Sequence, residues 1–358
     1  MNRQKHTGTP ASDTVMVVHG PEAFDSGDAG WLADLVRPRG ILVAGVMGRC
    51  AAEASGRPVR CTDTRPSIVL AAEQGRAFLV NRGKTPASGR IFGELVAGRL
   101  PEGRGLVHVE CSNRTIFVWN EGDRRLAGDL ADLTGFPIVE AAGSAGTKGE
   151  GRTIRGCIPG EAVFVNGVVI GTATAETVVL ASGSGTIEAI AGIDLKQHGV
   201  EKLLRGGVPD LAAAWCKSGR VRSAVPRHAG RARETGRIAV IDHAGHTLYR
   251  EIAEGVAGVL SIGDDTTAVC GHICAHHGIP VFGVIDGDGD DIIQAGYAPG
   301  SVVVETAGER DDDLGCEIAA SLGEEPVSWE EWVAGTLEHL GGRVRITVDR
   351  RGGNGAVR

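Results

Sequence analysis

Carboxylates that follow apolar segments are the side chains in this sequence most able to do chemistry. Three segments rich in Val and Ile end in acidic residues, namely residues 238–242 in Asp242, residues 259–265 in Asp264-Asp265, and residues 280–288 in Asp286-Gly-Asp288. Apolar runs separated by helical stretches predict buried parallel strands, whose carboxyl ends meet at one edge of a sheet. Because such a concentration of negative charge requires a cation, shared protons or water, we predict a divalent-metal site.

Asp286 and Asp288 are the predicted principal ligands. Residues i and i+2 of an extended backbone share a side, so both carboxylates can reach one ion. Mg²⁺ takes oxygen ligands from one or two carboxylates, together with water and substrate phosphates, and it is the predicted cofactor. Asp264 or Asp265 would complete the ligand set or orient a water molecule. The alternative is that Asp264 only caps a helix beginning near Thr266, since Asp is a favoured N-cap.

Asp242 and His243 are the predicted catalytic residues. A histidine beside a carboxylate can act as a general acid or base near neutral pH, or as a metal ligand. The alternative is a loop histidine near the start of a helix, without a chemical role.

A second candidate site lies near the N-terminus, where residues 41–48 are predicted to form a strand that enters a turn; Gly45 and Gly48 belong to this segment and Arg49 follows it. A glycine loop that leads into a helix can bind phosphate through backbone N–H groups, and Arg49 could assist. These three residues are therefore predicted to contact the phosphate of a cofactor, although the full G-x-G-x-x-G pattern is absent.

The segment Cys270-Gly-His272-Ile-Cys274-Ala-His276-His277 has the residue types of a zinc site. On a helix, Cys270, Cys274 and His277 would share one face while the other two histidines point elsewhere. With no second Cys-x-x-Cys pair in the sequence, the segment is better interpreted as a helix with cysteines in the core.

The elements that must position these residues alternate between strand and helix patterns. The predicted fold class is α/β, with two Rossmann-like parallel-sheet units joined by a small antiparallel β subdomain. Asn166-Gly167, between two apolar segments, predicts a β-hairpin. The predicted domains are an N-terminal α/β domain (1–150), the β subdomain (151–195), a helical and basic linker (196–237), a C-terminal α/β domain with the acidic site (238–349), and a disordered tail (350–358).

Composition narrows the class of protein. The 358 residues are 42% hydrophobic, and the formal net charge of −8 argues against nucleic acid as a partner. Seven basic residues lie within 217–237 against one acid, Glu234, and without interleaved aromatics this segment is interpreted as a solvated linker. No apolar run approaches the length of a membrane span, and the eight cysteines show no disulfide framework. The predicted location is therefore the cytoplasm.

The assembled motifs resemble the DUF2117 family, archaeal proteins found mainly in methanogens. The similar segments are His19-Gly-Pro-Glu22 with Asp25-Ser-Gly27, residues 165–171, Ile241-Asp-His-Ala-Gly245, Gly263-Asp-Asp-Thr-Thr267 and Asp286-Gly-Asp288. This resemblance implies a cytoplasmic archaeal protein without an assigned activity. A looser similarity connects Asp286-Gly-Asp288 with Toprim-type metal centres, which also use Asp-x-Asp after a strand. Those centres pair it with a glutamate after an earlier strand, and in this sequence Asp242 or Glu22 would have to take the place of that glutamate.

The leading functional hypothesis is Mg²⁺-dependent phosphoryl transfer or hydrolysis on a nucleotide-like or phosphorylated small molecule. One alternative is a non-catalytic sensor or assembly factor that binds a nucleotide, coenzyme or metal. Another is a Toprim-like nucleic-acid enzyme that uses the basic segment. The sequence leaves the substrate, the metal and the oligomeric state open.

Overall fold

The computed structural model describes residues 13–144, 151–226, 230, 233–243, 245–323 and 325–352. The chain divides into two compact units, the first comprising Met1–Cys157 with Glu176–Leu180 and the second Ile158–Ala175 with Ala181–Arg358. Arg227 and Arg231 of the basic segment, and the predicted tail from residue 353 onward, lie outside the described residues.

The first unit is an α/β structure built on a seven-stranded sheet. The strands of this sheet are β1 (Thr14–His19), β2 (Gly40–Ala44), β3 (Arg60–Thr62), β4 (Arg76–Asn81), β5 (Leu106–Glu110), β6 (Thr115–Trp119) and β7 (Ile138–Ala141), and an eighth strand, β8 (Gly151–Arg155), lies outside it. The helices of the unit are α1 (Glu22–Asp25), α2 (Asp28–Val36), α3 (Val46–Ser55), α4 (Pro66–Ala72), α5 (Pro86–Ala97) and α6 (Arg124–Thr134). The sheet has the order β3-β2-β1-β4-β5-β6-β7 and is parallel except between β5 and β6.

Strand β1 shows why the apolar runs are continuous rather than alternating. Met16 and Val18 pack into the core that contains α1, α2, α3 and α6, while Val15 and Val17 pack on the opposite side with α4 and α5. Both faces of the sheet are therefore covered, and a strand in such a sheet has no polar face. The predicted α/β class with a parallel sheet is confirmed, whereas the finer Rossmann-like description stays a prediction.

One local prediction in this unit was wrong. The strand predicted through Gly48 ends at Ala44, because Gly45 has φ 100° and α3 begins at Val46. At the start of α2, Gly27 is the N-cap, and the neighbouring Ser26 hydroxyl donates a hydrogen bond to Asp28.

The remaining elements belong to the second unit, except that residues 177–180, which begin the strand Thr177–Gly183, belong to the first. The strands are β9 (Ala162–Val165), β10 (Val168–Ala173), β11 (Thr177–Gly183), β12 (Thr186–Ala191), β13 (Ile193–Leu195), β14 (Cys216–Ser218), β15 (Thr235–Gly236), β16 (Ile238–Asp242), β17 (Gly258–Ile262), β18 (Val281–Ile285), β19 (Val302–Thr306), β20 (Val327–Ser328) and β21 (Val344–Asp349). The helices are α7 (Gln197–Leu204), α8 (Leu248–Glu254), α9 (Asp264–His277), α10 (Asp311–Ala320) and α11 (Trp329–Leu340).

Two sheets of this unit matter for the site. A five-stranded sheet has the order β16-β17-β18-β19-β21 and is parallel except for β21. Helices α10 and α11 share one hydrophobic core with it, and α9 packs against β17 and β18. A small antiparallel sheet has the order β13-β10-β9-β14.

The hairpin predicted at Asn166-Gly167 is confirmed. Val165 pairs with Val168 across a two-residue loop, and Asn166 and Gly167 have φ of 49° and 90°. Positive φ at both loop residues gives the turn geometry that matches the twist of the flanking strands, and Asn-Gly is the pair that adopts it most readily.

The basic segment differs from the solvated linker predicted for it. Lys217 lies in β14, and Arg222 is only 4% exposed. Arg222 donates a hydrogen bond from Nη1 to Nε2 of the buried His272 at 3.2 Å. Nδ1 of His272 in turn donates to the Gln294 carbonyl at 2.8 Å. Within the part of the chain that the structure describes, no helix is long and apolar enough to cross a membrane.

Candidate functional site

The acidic residues converge at the carboxyl edge of the five-stranded sheet. Asp242 ends β16 in register with Ile262 at the end of β17, and Ile262 pairs with Val284 of β18. Parallel strands in register deliver the residues that follow them to the same edge. Helix α10, after β19, begins with Asp311 and adds further carboxylates.

The tightest acidic cluster consists of Asp264, Asp286 and Asp311. One carboxylate oxygen from each residue lies within 4.8 Å of the others. Asp311 is fully buried, and its Oδ1 accepts a hydrogen bond from the Asp312 N–H at 2.8 Å. Its Oδ2 is buried and has no hydrogen-bond partner. We call these three residues the carboxylate cluster.

Burial and like charge govern the ionisation of this cluster. Burial raises the pKa of Asp311 to about 6; the charge of Lys202 opposes this effect, and the charges of Asp286 and Asp312 add to it. Burial also raises the pKa of Asp264, to which the charge of Asp286 contributes. The raised pKa of these two residues means that their ionised forms are only partly compensated within the protein, and a bound cation would complete the compensation.

The Asp264 side chain does not cap its own helix, so the capping alternative is wrong. Gly263, with φ 98°, is the N-cap of α9 and no side chain caps this helix end. The Asp264 carboxylate instead accepts the backbone N–H groups of Asp286 at 3.0 Å and Gly287 at 3.3 Å. These bonds fix the loop after β18 so that Asp286 lies against Asp264.

Asp265 points to a different partner. Its Oδ1 accepts the Asp290 N–H at 3.1 Å, and burial raises its pKa to about 6, with the Asp290 charge contributing. It belongs to none of the groups of three potential metal ligands among the described residues. Its placement favours a role in shaping the loop after β18.

Asp288 lies among basic side chains. Its carboxylate is 3.4 Å from Lys196 Nζ, 3.7 Å from His198 Nε2 and 3.9 Å from Lys202 Nζ. Lys196 also donates to the Asp288 carbonyl at 2.7 Å and to the Asp290 carboxylate at 3.0 Å. Burial alone would raise the pKa of Asp288, but the three basic groups together hold it below its usual range.

His198, Asp286 and Asp288 form a second group whose potential ligand atoms lie within 4.8 Å. Two ammonium groups already neutralise Asp288, however, and like charge would repel a divalent cation at this position. The carboxylate cluster, with its unpartnered Asp311 oxygen, is therefore the better cation site.

His243 is held in a strained conformation between two carboxylates. Its φ is 50°, Nδ1 lies 2.5 Å from Asp242 Oδ1, and Nε2 lies 3.6 Å from Asp312 Oδ1. The buried Nε2 has no hydrogen-bond partner. A proton shared between Nδ1 and Asp242 leaves the lone pair on Nε2, which is the arrangement of a general base. Strain of this kind is characteristic of functional positions.

Asp312 is fixed from its other side. Arg205 Nη2 contacts its Oδ2 at 2.5 Å and Arg310 lies at 3.4 Å. The hydrogen bond from Arg205 is the largest cause that lowers the pKa of Asp312 to about 2. Asp312 is therefore a permanent negative charge near His243.

A shallow pocket that is partly open to solvent lies beside these groups. Its lining includes the hairpin segment Gly167–Val169, the basic residues Lys196, His198 and Lys202, and His243 with Asp264. A small molecule in this pocket could contact the basic residues, the histidine and the edge of the carboxylate cluster.

The N-terminal glycines have structural roles in the first unit. Gly45 is the N-cap of α3, and a Cβ on Gly48 would lie 3.2 Å from Val43 Cγ1, so Gly48 allows α3 to pack on β2. Arg49 forms an ion pair with Glu53 at 2.8 Å. The phosphate contact predicted for these residues stays a prediction.

The cysteines of α9 lie where the core interpretation places them. Cys270 and Cys274 are fully buried, and burial raises the pKa of the Cys270 thiol to about 12. Among the described residues, no group of potential metal ligands includes a cysteine.

Comparison with known families identifies the relatives of this chain. A family model described as "Uncharacterized protein conserved in archaea (DUF2117)" matches residues 16–325. The chain belongs to this family. An uncharacterized protein of Methanocaldococcus jannaschii is 32% identical over 331 residues, which cover 86% of this chain and 90% of the relative. The resemblance inferred from the motifs is thus confirmed, and no solved structure matches the chain.

Sequence reasoning missed several residues of the site in this DUF2117 protein. Asp311 and Asp312 follow Val302-Val-Val-Glu-Thr306, a fourth β-branched segment succeeded by acids, so the signal used for the other carboxylates was present. Lys196, His198, Lys202 and Arg205 carried no such signal. They lie in the segment that follows β13, far from the acidic loops in sequence: 92 positions separate Lys196 from Asp288, and 107 separate Arg205 from Asp312.

Proposed function

We propose that this chain is a divalent-metal-dependent enzyme that catalyses phosphoryl transfer or hydrolysis on a nucleotide-like or phosphorylated small molecule. The observation that carries the proposal is the carboxylate cluster, in which three oxygens converge within 4.8 Å and the buried Asp311 Oδ2 has no partner. Asp311 is buried and the other two residues are partly buried, so a cation bound between their carboxylates would stabilise the ionised cluster.

The donor set fits a hard cation. Asp264, Asp286 and Asp311 offer carboxylate oxygens alone, which suit Mg²⁺ or Mn²⁺ better than Zn²⁺. When bound, such an ion supplies charge neutralisation for phosphoryl oxygens. Compared with the ligands predicted from sequence, the proposal keeps Asp286 and Asp264, adds Asp311, and assigns Asp288 to the basic side of the pocket.

His243 is the proposed acid–base catalyst. Asp242 orients its ring through Nδ1, and Nε2 is left to take a proton from an attacking water or hydroxyl group in the pocket. Asp312 stabilises the imidazolium that forms, because its carboxylate lies 3.6 Å from Nε2. The placement of the site at strand carboxyl ends agrees with the Rossmann-like interpretation of the sheet. We retain the cytoplasm as the proposed location.

Metal binding is the direct test. We expect Asp286→Asn and Asp311→Asn each to weaken Mn²⁺ binding by at least about tenfold, measured by electron paramagnetic resonance. Asp313→Asn is the matched control, because Asp313 is exposed in the same first turn of α10. Unchanged Mn²⁺ binding in both cluster variants, or no binding by the natural protein, would overturn the proposal.

Catalysis is tested separately through His243. We expect His243→Gln to keep Mn²⁺ binding and to lose at least about a hundredfold in turnover of the phosphorylated compound found by screening. Turnover unaffected by this change would remove His243 from the mechanism. A non-catalytic binding protein would use the same carboxylates but show no turnover with any compound.

The nucleic-acid alternative has less support. Arg222 is buried, and Arg220 pairs with Asp291 at 2.6 Å, so these two members of the basic segment are engaged within the protein.

A further inference from the structure

The basic side chains around Asp288 form a site larger than the carboxylate that now occupies it. The distances of 3.4, 3.7 and 3.9 Å from Lys196, His198 and Lys202 all exceed an ordinary hydrogen bond. His198 Nε2 is buried without a hydrogen-bond partner. Lys196 has short hydrogen bonds to the Asp288 carbonyl and the Asp290 carboxylate, whereas the Asp288 carboxylate makes no short hydrogen bond to His198 or Lys202. We call the three basic residues the basic cradle.

The fold holds the basic cradle in place. The Lys196 N–H donates to the Ile170 carbonyl at 2.8 Å, which ties the start of α7 to β10. A Cβ on Gly199 would lie 2.0 Å from the Val169 carbonyl oxygen, so only glycine allows the first turn of α7 this close to the hairpin. The side chain of Lys202 is only 11% exposed. The cradle is therefore built into the scaffold and does not consist of mobile surface lysines.

The positive end of α7 lies at the same pocket. Lys196, His198 and Gly199 line it, and no side chain caps the N-terminus of this helix. Uncapped N–H groups and the helix dipole favour an anion at such a position. Their contribution adds to the charge of the cradle.

We propose that Lys196, His198 and Lys202 bind the dianionic phosphate of a phosphate monoester, and that Asp288 occupies this position until the substrate displaces it. The inference rests on the proposed function, for which it names the substrate class and the recognition residues. A phosphate monoester presents three free oxygens and up to two negative charges. It can therefore contact Lys196, His198 and Lys202 at once and bring more negative charge to them than the single Asp288 carboxylate does.

The charge of Asp288 provides the test. In metal-free buffer, we expect Asp288→Asn to bind inorganic phosphate about tenfold more tightly than the natural protein, because phosphate no longer competes with an internal anion. We expect Lys202→Met to bind it at least about tenfold more weakly, since methionine keeps the apolar stem and removes the charge. Isothermal titration calorimetry measures both affinities.

Asp291→Asn is the matched control. It makes the same charge change in the same loop, but its side chain is 81% exposed and paired with Arg220. Its φ of 48° is one that asparagine tolerates as well as aspartate. Phosphate binding by Asp288→Asn no tighter than by Asp291→Asn would overturn the inference. If Lys202→Met does not fold, His198→Gln replaces it as the weakening variant.

Mn²⁺ binding by the same proteins separates this inference from the proposed function. Retained Mn²⁺ binding at the carboxylate cluster with no phosphate response to Asp288→Asn or Lys202→Met would refute the basic cradle alone. Phosphate responses as expected, with Mn²⁺ binding insensitive to Asp286→Asn and Asp311→Asn, would refute the metal-dependent mechanism alone.

Discussion

Replacing Asp311 by asparagine should stabilise the metal-free protein at neutral pH and at the same time weaken its response to divalent cations. Asp311 is fully buried, and one of its oxygens has no hydrogen-bond partner. Asparagine has nearly the same shape and carries no charge, so it removes the repulsion from Asp286 and Asp312 without opening a cavity. A ligand residue that destabilises its own fold is expected where binding of a cation compensates for it.

The magnitude follows from ionisation. Burial raises the pKa of Asp311 from 3.8 to about 6, a difference of about two pH units. Because the folded-state pKa is the higher one, the folded protein holds the proton more tightly, and stability falls as the pH rises from 3.8 through about 6. A pKa difference of two units corresponds to a loss of about 3 kcal/mol of folding stability at neutral pH. Structural relaxation and water around the cluster reduce this loss to about 1–2 kcal/mol.

Urea unfolding in metal-free buffer measures this effect. Below about pH 4 the variant and the natural protein should be equally stable, and the advantage of Asp311→Asn should grow up to about pH 6 and then stay constant. Asp313→Asn, on the exposed side of the same helical turn, should show no such pH dependence. With Mg²⁺ at a hundred times its dissociation constant, the natural protein should gain about 2.7 kcal/mol and Asp311→Asn clearly less.

One result would refute the reasoning. If Asp311→Asn is less stable than the natural protein above about pH 7 without metal, the charged carboxylate must have a compensating partner inside the protein. The carboxylate cluster would then be a structural network rather than a cation site.

Two further predictions concern the packing and electrostatics around the site and in the first unit. Gly93→Ala should destabilise the fold by about 2–3 kcal/mol in urea unfolding, because overpacking a core is costly. The Cβ of the new alanine would lie 2.1 Å from Nδ1 of His108, whose buried ring is held by hydrogen bonds with Asn81 and Trp119. Gly128 lies in α6, and a Cβ at this position would have no atom within 4 Å. Gly128→Ala should therefore stabilise the folded protein by up to about 1 kcal/mol. Equal effects of the two substitutions on the free energy of unfolding would contradict the tight packing at Gly93. Arg205→Met should raise the pKa of Asp312 from about 2 toward its ordinary value, followed by NMR titration. Since the folded-state pKa of Asp312 is depressed, the pair stabilises above 3.8 and this stability is lost as pH falls through about 2. Arg205→Met should therefore lose about 1 kcal/mol of folding stability at neutral pH, after solvent screening, and none at low pH. An unchanged pKa of Asp312 in this variant would show that Arg205 is not its main partner.

Much of the secondary structure could be predicted from local pattern. The Asn166-Gly167 turn needs positive φ at two adjacent residues, and few residue pairs other than Asn-Gly allow it. The runs ending at Asp242, at Ile262 before Asp264, and at Ile285 before Asp286 are apolar because both faces of their sheet are covered. The same logic predicted that Asp264 and Asp286 would lie near each other, and the structure brings them together.

The role of individual side chains could not be read in this way. Asp264 and Asp265 are adjacent in sequence, yet one faces the carboxylate cluster and the other bonds to the loop at Asp290. Adjacent residues in the first turn of a helix point in different directions, and the contacts of each are set by whichever loop packs there.

The sequence by itself determined the parallel strands, the hairpin and the acidic edge, because backbone preferences and continuous burial act over a few residues at a time. The tertiary structure alone decided that Asp264, Asp286 and Asp311 converge within 4.8 Å of one another while Asp288 lies against Lys196 and Lys202. Electrostatic partners depend on distances of a few ångströms between segments far apart in the chain, and no local pattern records those distances. The three acid-ended strands therefore mark the candidate site, and the fold separates the carboxylate cluster from the basic residues around Asp288 within that edge.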